Sequence, residues 1–169
     1  MKRPVINLRS MLSSVFIAAG VLCFDQMSKL WVERGLDVNQ SFHPIPALSG
    51  LFSITYVTNT GVAFGFFKEA GTFFIFLAIL IIALLLYLFV RLDVNQRLAR
   101  VALTLALSGV TGTLIDHLRL GHVIDFLDFK FWPIFNVADG AIVAGLVLLL
   151  VATWYAGRSR AGATPTPDA

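Results

Sequence analysis

Residues Gly71–Val90 form a run of 20 amino acids without a single charge, closed by Arg91. A bilayer-spanning helix needs about 20 mostly apolar residues, so this run alone commits the chain to a membrane. Three further stretches follow the same pattern. One runs from about Ser10 to Phe24 and continues past Asp25 toward Trp31. Another covers Val101–Ile115 and meets Asp116. The last starts near Phe131, contains Asp139 and runs to Gly157. Composition agrees: 57% of residues are hydrophobic and 14% charged, against about 25% charged in soluble domains. An ordinary cytosolic enzyme, a disordered chain and a nucleic-acid binder are excluded. The single cysteine, Cys23, rules out an internal disulfide framework and a Cys-rich metal site.

The basic N-terminus, Lys2, Arg3 and Arg9, followed by an apolar run has the outline of a secretory signal peptide. The helical pattern continues through Cys23 into Asp25–Lys29, however, and bulky Leu22 stands where a lipid-attachment site wants a small residue. The segment is therefore expected to be a retained first span. Lys2, Arg3, Arg9, Arg91, Arg97, Arg100, Arg158 and Arg160 fall on one side of the spans, and Lys29, Arg34, Lys68, Arg119 and Lys130 on the other. The richer side is expected to be cytoplasmic, with both termini inside. Asp25, Asp116, Asp125 and Asp139 then all reach the outer leaflet. An acid near a membrane helix is costly and points to function.

The expected organisation is a single four-span membrane domain over residues 1–157, an all-α membrane protein with a small β element on its outer face at about 42–67. A disordered cytoplasmic tail is expected over 158–169, where Thr-Pro-Thr-Pro stands. Leu51–Val57 alternates and is rich in β-branched and aromatic residues, the pattern of a strand. Asn59-Thr60-Gly61 marks a turn, and Val62–Phe67 is a second short apolar run. No internal repeat is present, which argues against an inverted-repeat transporter.

The chemistry gathers at the outer side. Asp125 and Asp139 are 14 residues apart, enough for a loop that folds back and brings them together. Two close carboxylates cannot both ionise cheaply, so one can hold a proton while the other activates water. The competing reading has the two acids satisfied by Lys130, Arg119 or backbone amides. Asn136 and Asp139, three apart, are expected to share a helix face, as are Thr113, Asp116 and His117; helix capping is the structural alternative for each. Asp25 and Lys29, four apart, suggest a local ion pair. His117 and His122 are five apart and there is no HExxH, so neither a metal nor any other cofactor is expected. Ser28 and Lys29 are adjacent and cannot form a Ser–Lys dyad directly.

Four blocks resemble the motifs of bacterial lipoprotein signal peptidase (signal peptidase II): Asp25-Gln26-Met27-Ser28-Lys29, Asn59-Thr60-Gly61-Val62-Ala63-Phe64, Gly121-His122-Val123-Ile124-Asp125-Phe126 and Phe135-Asn136-Val137-Ala138-Asp139. Their order and the four-span layout match over about Asp25 to Leu148. The resemblance implies an inner-membrane aspartic endopeptidase that cuts the signal peptide from prolipoproteins just before their diacylglyceryl-modified cysteine. It implies membrane lipids as surroundings and globomycin as an inhibitor. It assigns catalysis to Asp125 and Asp139, and substrate binding or support to Asn59, Gly61, Asn136, Asp116, Thr113 and His117, with Asp25 and Lys29 as a supporting site. Glu69 and its neighbours would lie near a gating segment. The family usually has Asn where Thr113 stands and Arg where His117 stands. Without the resemblance two other readings compete: a small transporter or channel subunit with outer acids on a proton or cation path, and a non-enzymatic assembly factor. The first would need polar residues through the whole depth, and Gly71–Val90 offers none.

Overall fold

The computed structural model describes residues 8–61, 70–93 and 96–161. Four long helices carry the fold: α1 (Leu8–Gly35), α2 (Ala70–Arg91), α3 (Arg97–Leu120) and α4 (Val137–Ala161). Each is long and apolar enough to cross a bilayer. Three strands, β1 (Ser41–Phe42), β2 (Phe52–Asn59) and β3 (Val123–Phe129), form an antiparallel sheet in the order β1-β2-β3.

Helix α3 is the hub, contacting α1, α2 and α4. Half of its most apolar stretch is buried, against 11–17% in the other spans. Its sequence explains the position. Ala99, Ala102, Ala106, Gly109 and Gly112 are buried along it, and small residues let membrane helices approach closely where lipid supplies no hydrophobic drive. Leu103 and Val110 fill the remaining space against Ala78 and Leu85 of α2. The outward residues of α2, among them Phe73, Phe76 and Leu80, stay exposed, as a lipid-facing helix requires.

The sheet closes one end of the bundle. Tyr56 of β2 and Ile124 and Phe126 of β3 pack with Val32 of α1. Strands β2 and β3 run in register from Phe52 opposite Phe129 to Asn59 opposite Val123, with an irregularity between Ile54 and Val57. One polar cluster locks all three strands. Asp128 accepts hydrogen bonds from Ser53 (3.0 Å) and Thr55 (2.7 Å), Thr55 also bonds Ser41 (2.8 Å), and Lys130 pairs with Asp128. Burial by itself would raise the Asp128 carboxyl, but the bonds from Lys130, Thr55 and Ser53 outweigh it and hold it below the usual range.

The strand expected at Leu51–Val57 is present as β2 and extends through Asn59. Three features differ from the sequence reading. The segment expected to be a plain loop around Asp125 is strand β3, because Val123, Ile124 and Asp125 pair with β2. The fourth helix begins at Val137 rather than near Phe131, since the intervening apolar residues turn back and Phe135 bridges Leu127. Helix α4 also continues through Ala161, so the first residues of the expected tail are helical. The apolar run at 62–67 and Glu69 lie outside the described residues.

Candidate active site

Asp125 lies on β3, where pairing with β2 sets Asn59 at the neighbouring strand end. It is only 4% exposed. One carboxylate oxygen accepts the side-chain amide of Asn59 at 2.9 Å and the other accepts that of Asn136 at 2.6 Å. Burial pushes the Asp125 carboxyl up to about 6, and the nearby Asp139 carboxylate pushes the same way, against the two amide bonds. The amide of Asn59 is itself oriented: its oxygen accepts the backbone N–H of Gly61 at 2.9 Å. Gly61 is fitted for that turn, with φ of +73° and the Phe74 ring occupying the space where a Cβ would stand. No other residue type takes this conformation and this space together.

Asn136 and Asp139 do not share a helix face as their spacing suggests. Asn136 precedes α4 and caps it. Its side-chain oxygen accepts the Asp139 N–H at 3.0 Å, and its backbone N–H in turn donates to the Asp139 carboxylate at 3.2 Å. This reciprocal arrangement satisfies two otherwise orphaned donors at the helix start. It also makes fully buried Asn136 a bracket that holds both acids.

The two acids line one cavity of about 170 Å³ together with Asn59, Gly61, Phe74, Thr113, His117 and Val123. Of the partners the competing reading offered, Lys130 pairs with Asp128 and Arg119 lies 3.7 Å from Glu33, while a backbone amide, that of Asn136, does reach Asp139. Two polar atoms on the α3 wall of the cavity, Thr113 Oγ1 and His117 Nδ1, are buried without a hydrogen-bond partner among the described residues. The His117 ring is fixed by stacking on Phe74, 5.6 Å between centroids and 8° between planes.

A second cluster lies beneath. Lys29 is 1% exposed and bonds both Asp25 (2.9 Å) and Asp116 (2.7 Å), so the expected local pair is a three-residue ion cluster. Each acid of this cluster also takes one backbone N–H. Asp25 accepts from Ala138 at 2.9 Å, one residue before Asp139. Asp116 is 3.4 Å from the N–H of Ile124, one residue before Asp125. The cluster thus grips the chain next to both acids. Gly112 makes room for it, since a Cβ there would come 2.6 Å from the Asp25 carboxylate. Sequence reasoning missed Gln26 as a member. Its amide donates to Asp25 (3.1 Å) and Asp116 (3.0 Å), and its oxygen accepts from Arg119 (3.3 Å). Its place beside Asp25 does not mark it, since two of its partners, Asp116 and Arg119, lie on α3. Among the described residues, no three His, Cys, Asp or Glu side chains are grouped to hold a metal ion.

The chain is similar to known proteins over most of its length. A family model described as signal peptidase (SPase) II matches residues 17–155. The lipoprotein signal peptidase of Geobacter sulfurreducens is 44% identical over 142 residues, covering 80% of this chain and 87% of that one. That of Psychromonas ingrahamii is 35% identical over 160 residues, covering 90% of each. A bacterial membrane enzyme solved by the in meso method at 1.9 Å resolution superposes with a TM-score of 0.79 at 30% identity, over 90% of this chain and 97% of that chain.

Proposed function

The chain belongs to the signal peptidase II family, and from that premise we propose that Asp125 and Asp139 are its catalytic pair. The protein is a multi-pass bacterial membrane enzyme, an aspartic peptidase that removes signal peptides from prolipoproteins. The observation that carries the residue assignment is the bracket at Asn136, which fixes both acids on the wall of one cavity, with no cation bonded to either among the described residues.

The chemistry follows from a pair sharing one proton. The ionised carboxyl takes a proton from water as the water oxygen attacks the scissile carbonyl carbon. The protonated partner gives its proton to the carbonyl oxygen, and a neutral tetrahedral diol results. Collapse returns one hydroxyl proton to a carboxylate. A proton passes to the amide nitrogen, the C–N bond breaks, and a free carboxyl and a free amine leave. The burial that raises Asp125 lets it keep a proton well above the ordinary carboxylate range. Asn59 and Asn136 hold its plane fixed through the cycle. Asp25, Lys29 and Asp116 position the backbone beside both acids, Gly61 orients Asn59, and Thr113 and His117 offer unpartnered polar atoms to the substrate backbone.

The scissile bond lies just before a diacylglyceryl-modified cysteine. The signal helix and the acyl chains of such a substrate stay in hydrocarbon, so only the cleavage point needs to reach the acids. Globomycin is expected to compete for the same cleft. The enzyme sits in the cytoplasmic (inner) membrane, both termini face the cytoplasm, and the acids face outward, a placement supported by the distribution of Lys and Arg. Ser49→Cys in a Cys23→Ser chain should react with an impermeant thiol reagent in intact cells; labelling only in inverted vesicles would reverse the orientation. For the activity itself, purified protein incubated with a diacylglyceryl-modified proprotein should release the intact signal peptide. The same proprotein without the lipid should be a poor substrate, and equal cleavage of both would remove the lipid from recognition.

A further inference from the structure

At the end of the bundle away from the acids, α2 stops at Arg91, α3 starts at Arg97 and α4 finishes at Ala161. Arg91, Arg97, Arg100 and Arg158 gather at these helix ends. None of the four forms an ion pair with a carboxylate among the described residues, whereas Lys29, Arg119 and Lys130 toward the other end all do. Three lay their guanidinium groups over aromatic rings instead: Arg91 over Tyr87 at 4.9 Å, Arg100 over Phe89 at 5.2 Å and Arg158 over Trp154 at 4.0 Å. Asp93 gives Arg100 a backbone carbonyl at 3.3 Å, and the Arg100 Nε atom is buried without a partner.

The placement is electrostatically unfavourable as it stands. The first turn of α3 holds no acid, and Arg97 and Arg100 occupy it. Cations beside a helix N-terminus oppose the helix dipole, while an anion there is stabilised by dipole and guanidinium together. A groove of about 380 Å³ opens between α3 and α4 at this point. Its walls are mainly apolar, with Leu92, Ala99, Leu149 and Ala152 among them, and Gln96 and Arg97 add polar groups to the lining. An apolar groove beside an unpaired arginine has the two features of an anionic lipid: an acyl chain and a phosphate. Soluble anions have no use for the groove, and uncharged lipids none for the arginine.

We propose that the α3–α4 groove is a binding site for an anionic phospholipid of the leaflet opposite the acids, with an acyl chain between the helices and the phosphate on Arg97. Arg158, one helical turn beyond Tyr155 on α4, adds positive charge to the same end. A basic pocket between membrane helices is a recognised setting for anionic headgroups, and a guanidinium fork matches phosphate geometry. The site is separate from the proteolytic cleft, and nothing in the assignment depends on which aspartates are catalytic.

Trp154 reports on this groove, because it packs edge to face against Tyr155, which lines it, with ring centroids 4.9 Å apart. The test uses the full chain with Trp31→Phe and Trp132→Phe, leaving Trp154 as the fluorophore, in phosphatidylcholine bilayers. Brominated phosphatidylglycerol or brominated phosphatidylcholine is titrated in as the quencher. Trp154 should be quenched at lower mole fractions of the anionic lipid. Arg97→Gln should raise the fraction required about five-fold, the effect of one basic side chain near an anionic surface, and Arg97→Lys should restore most of it. Arg158 is left unchanged because it stacks directly on the reporter. Signal peptide release should be unaltered in Arg97→Gln, which shows that the variant is folded. Equal quenching by the two lipids would overturn the site, as would a preference that survives Arg97→Gln. Loss of the preference on adding inorganic phosphate, but not chloride at matched ionic strength, would assign Arg97 to a free anion and reject the lipid.

Discussion

The side-chain amide of Asn136 lies 2.6 Å from the Asp125 carboxylate, while the backbone and side-chain oxygen of the same residue are bonded to Asp139. Because one side chain sets the position of both acids, its loss should injure catalysis far more than stability. Removing a helix cap costs about 1 kcal/mol, which lowers the midpoint of a chain this size by roughly 2–4 °C. Asn136→Ala should therefore melt only a few degrees lower in detergent and lose about 10²-fold in kcat, the order seen when a preorganised active-site donor is removed. A catalytic loss no larger than the stability loss would mean that Asn136 is only a cap.

The Lys29 cluster should show the opposite balance. Lys29→Met preserves bulk but leaves Asp25 and Asp116 buried without their cation. Breaking such a cluster from one side costs about 3–5 kcal/mol, so thermal unfolding in detergent should show a large drop. Adding Asp25→Asn and Asp116→Asn to Lys29→Met should recover part of it. If Lys29→Met melts like the parent chain, the cluster does not anchor the fold.

Asn59 and the pH profile can be predicted in sign. The Asn59 bond favours the ionised form of Asp125, whose carboxyl stands at about 6. Without that bond the carboxyl rises further, so Asn59→Ala should move the limb of the pH–rate profile that reports Asp125 to higher pH. The same shift governs stability. A carboxyl raised in the folded state contributes stability that is full below its unfolded value and falls as pH rises through about 6. The parent should therefore lose stability relative to Asp125→Asn between pH 4 and 7, by on the order of 2–3 kcal/mol. Parallel pH–stability curves for the two proteins would contradict the burial argument.

These polar contacts explain which parts of the site were legible from the sequence. Spans interrupted by acids and the strand pattern at Leu51–Val57 are local signals, and the four helices and β2 follow from them. Strand β3 was hidden because Asp125, Asp128 and Lys130 break up the apolar residues of the segment, which then reads as a loop between spans. Only pairing with a segment some 70 residues earlier, as between Ser53 and Asp128, marks it as a strand. Asn136 misled for a related reason: spacing fixes a shared helix face only when both residues are inside the helix. The three-way contact of Lys29 with Asp25 and Asp116 joins α1 to α3, and half of it was visible as an i, i+4 pair. Gln26 was passed over because a glutamine beside charged residues carries no signal until its partners are known.

His117 presents a buried Nδ1 atom without a partner to the cavity, and its ring is held by Phe74. In a supporting role it should bind substrate rather than move its protons. His117→Ala is expected to raise KM and lower kcat/KM about ten-fold, a loss of about 1.4 kcal/mol, with the fold intact. His117→Arg should remain active with a changed acid limb. An Ala variant as inactive as one lacking Asp125 would place His117 among the catalytic groups.

The central claim is that Asp125 and Asp139 act as one unit, and the direct measurement is single-turnover cleavage of a diacylglyceryl-modified proprotein by Asp125→Asn, Asp139→Asn and the double variant. Each substitution keeps the shape of the side chain while removing its ability to share a proton. Each single variant should lose at least about 10³-fold in rate, and the double variant should be hardly slower than either, as groups acting together are strongly non-additive. Near-parental cleavage by either well-folded single variant would contradict the pair.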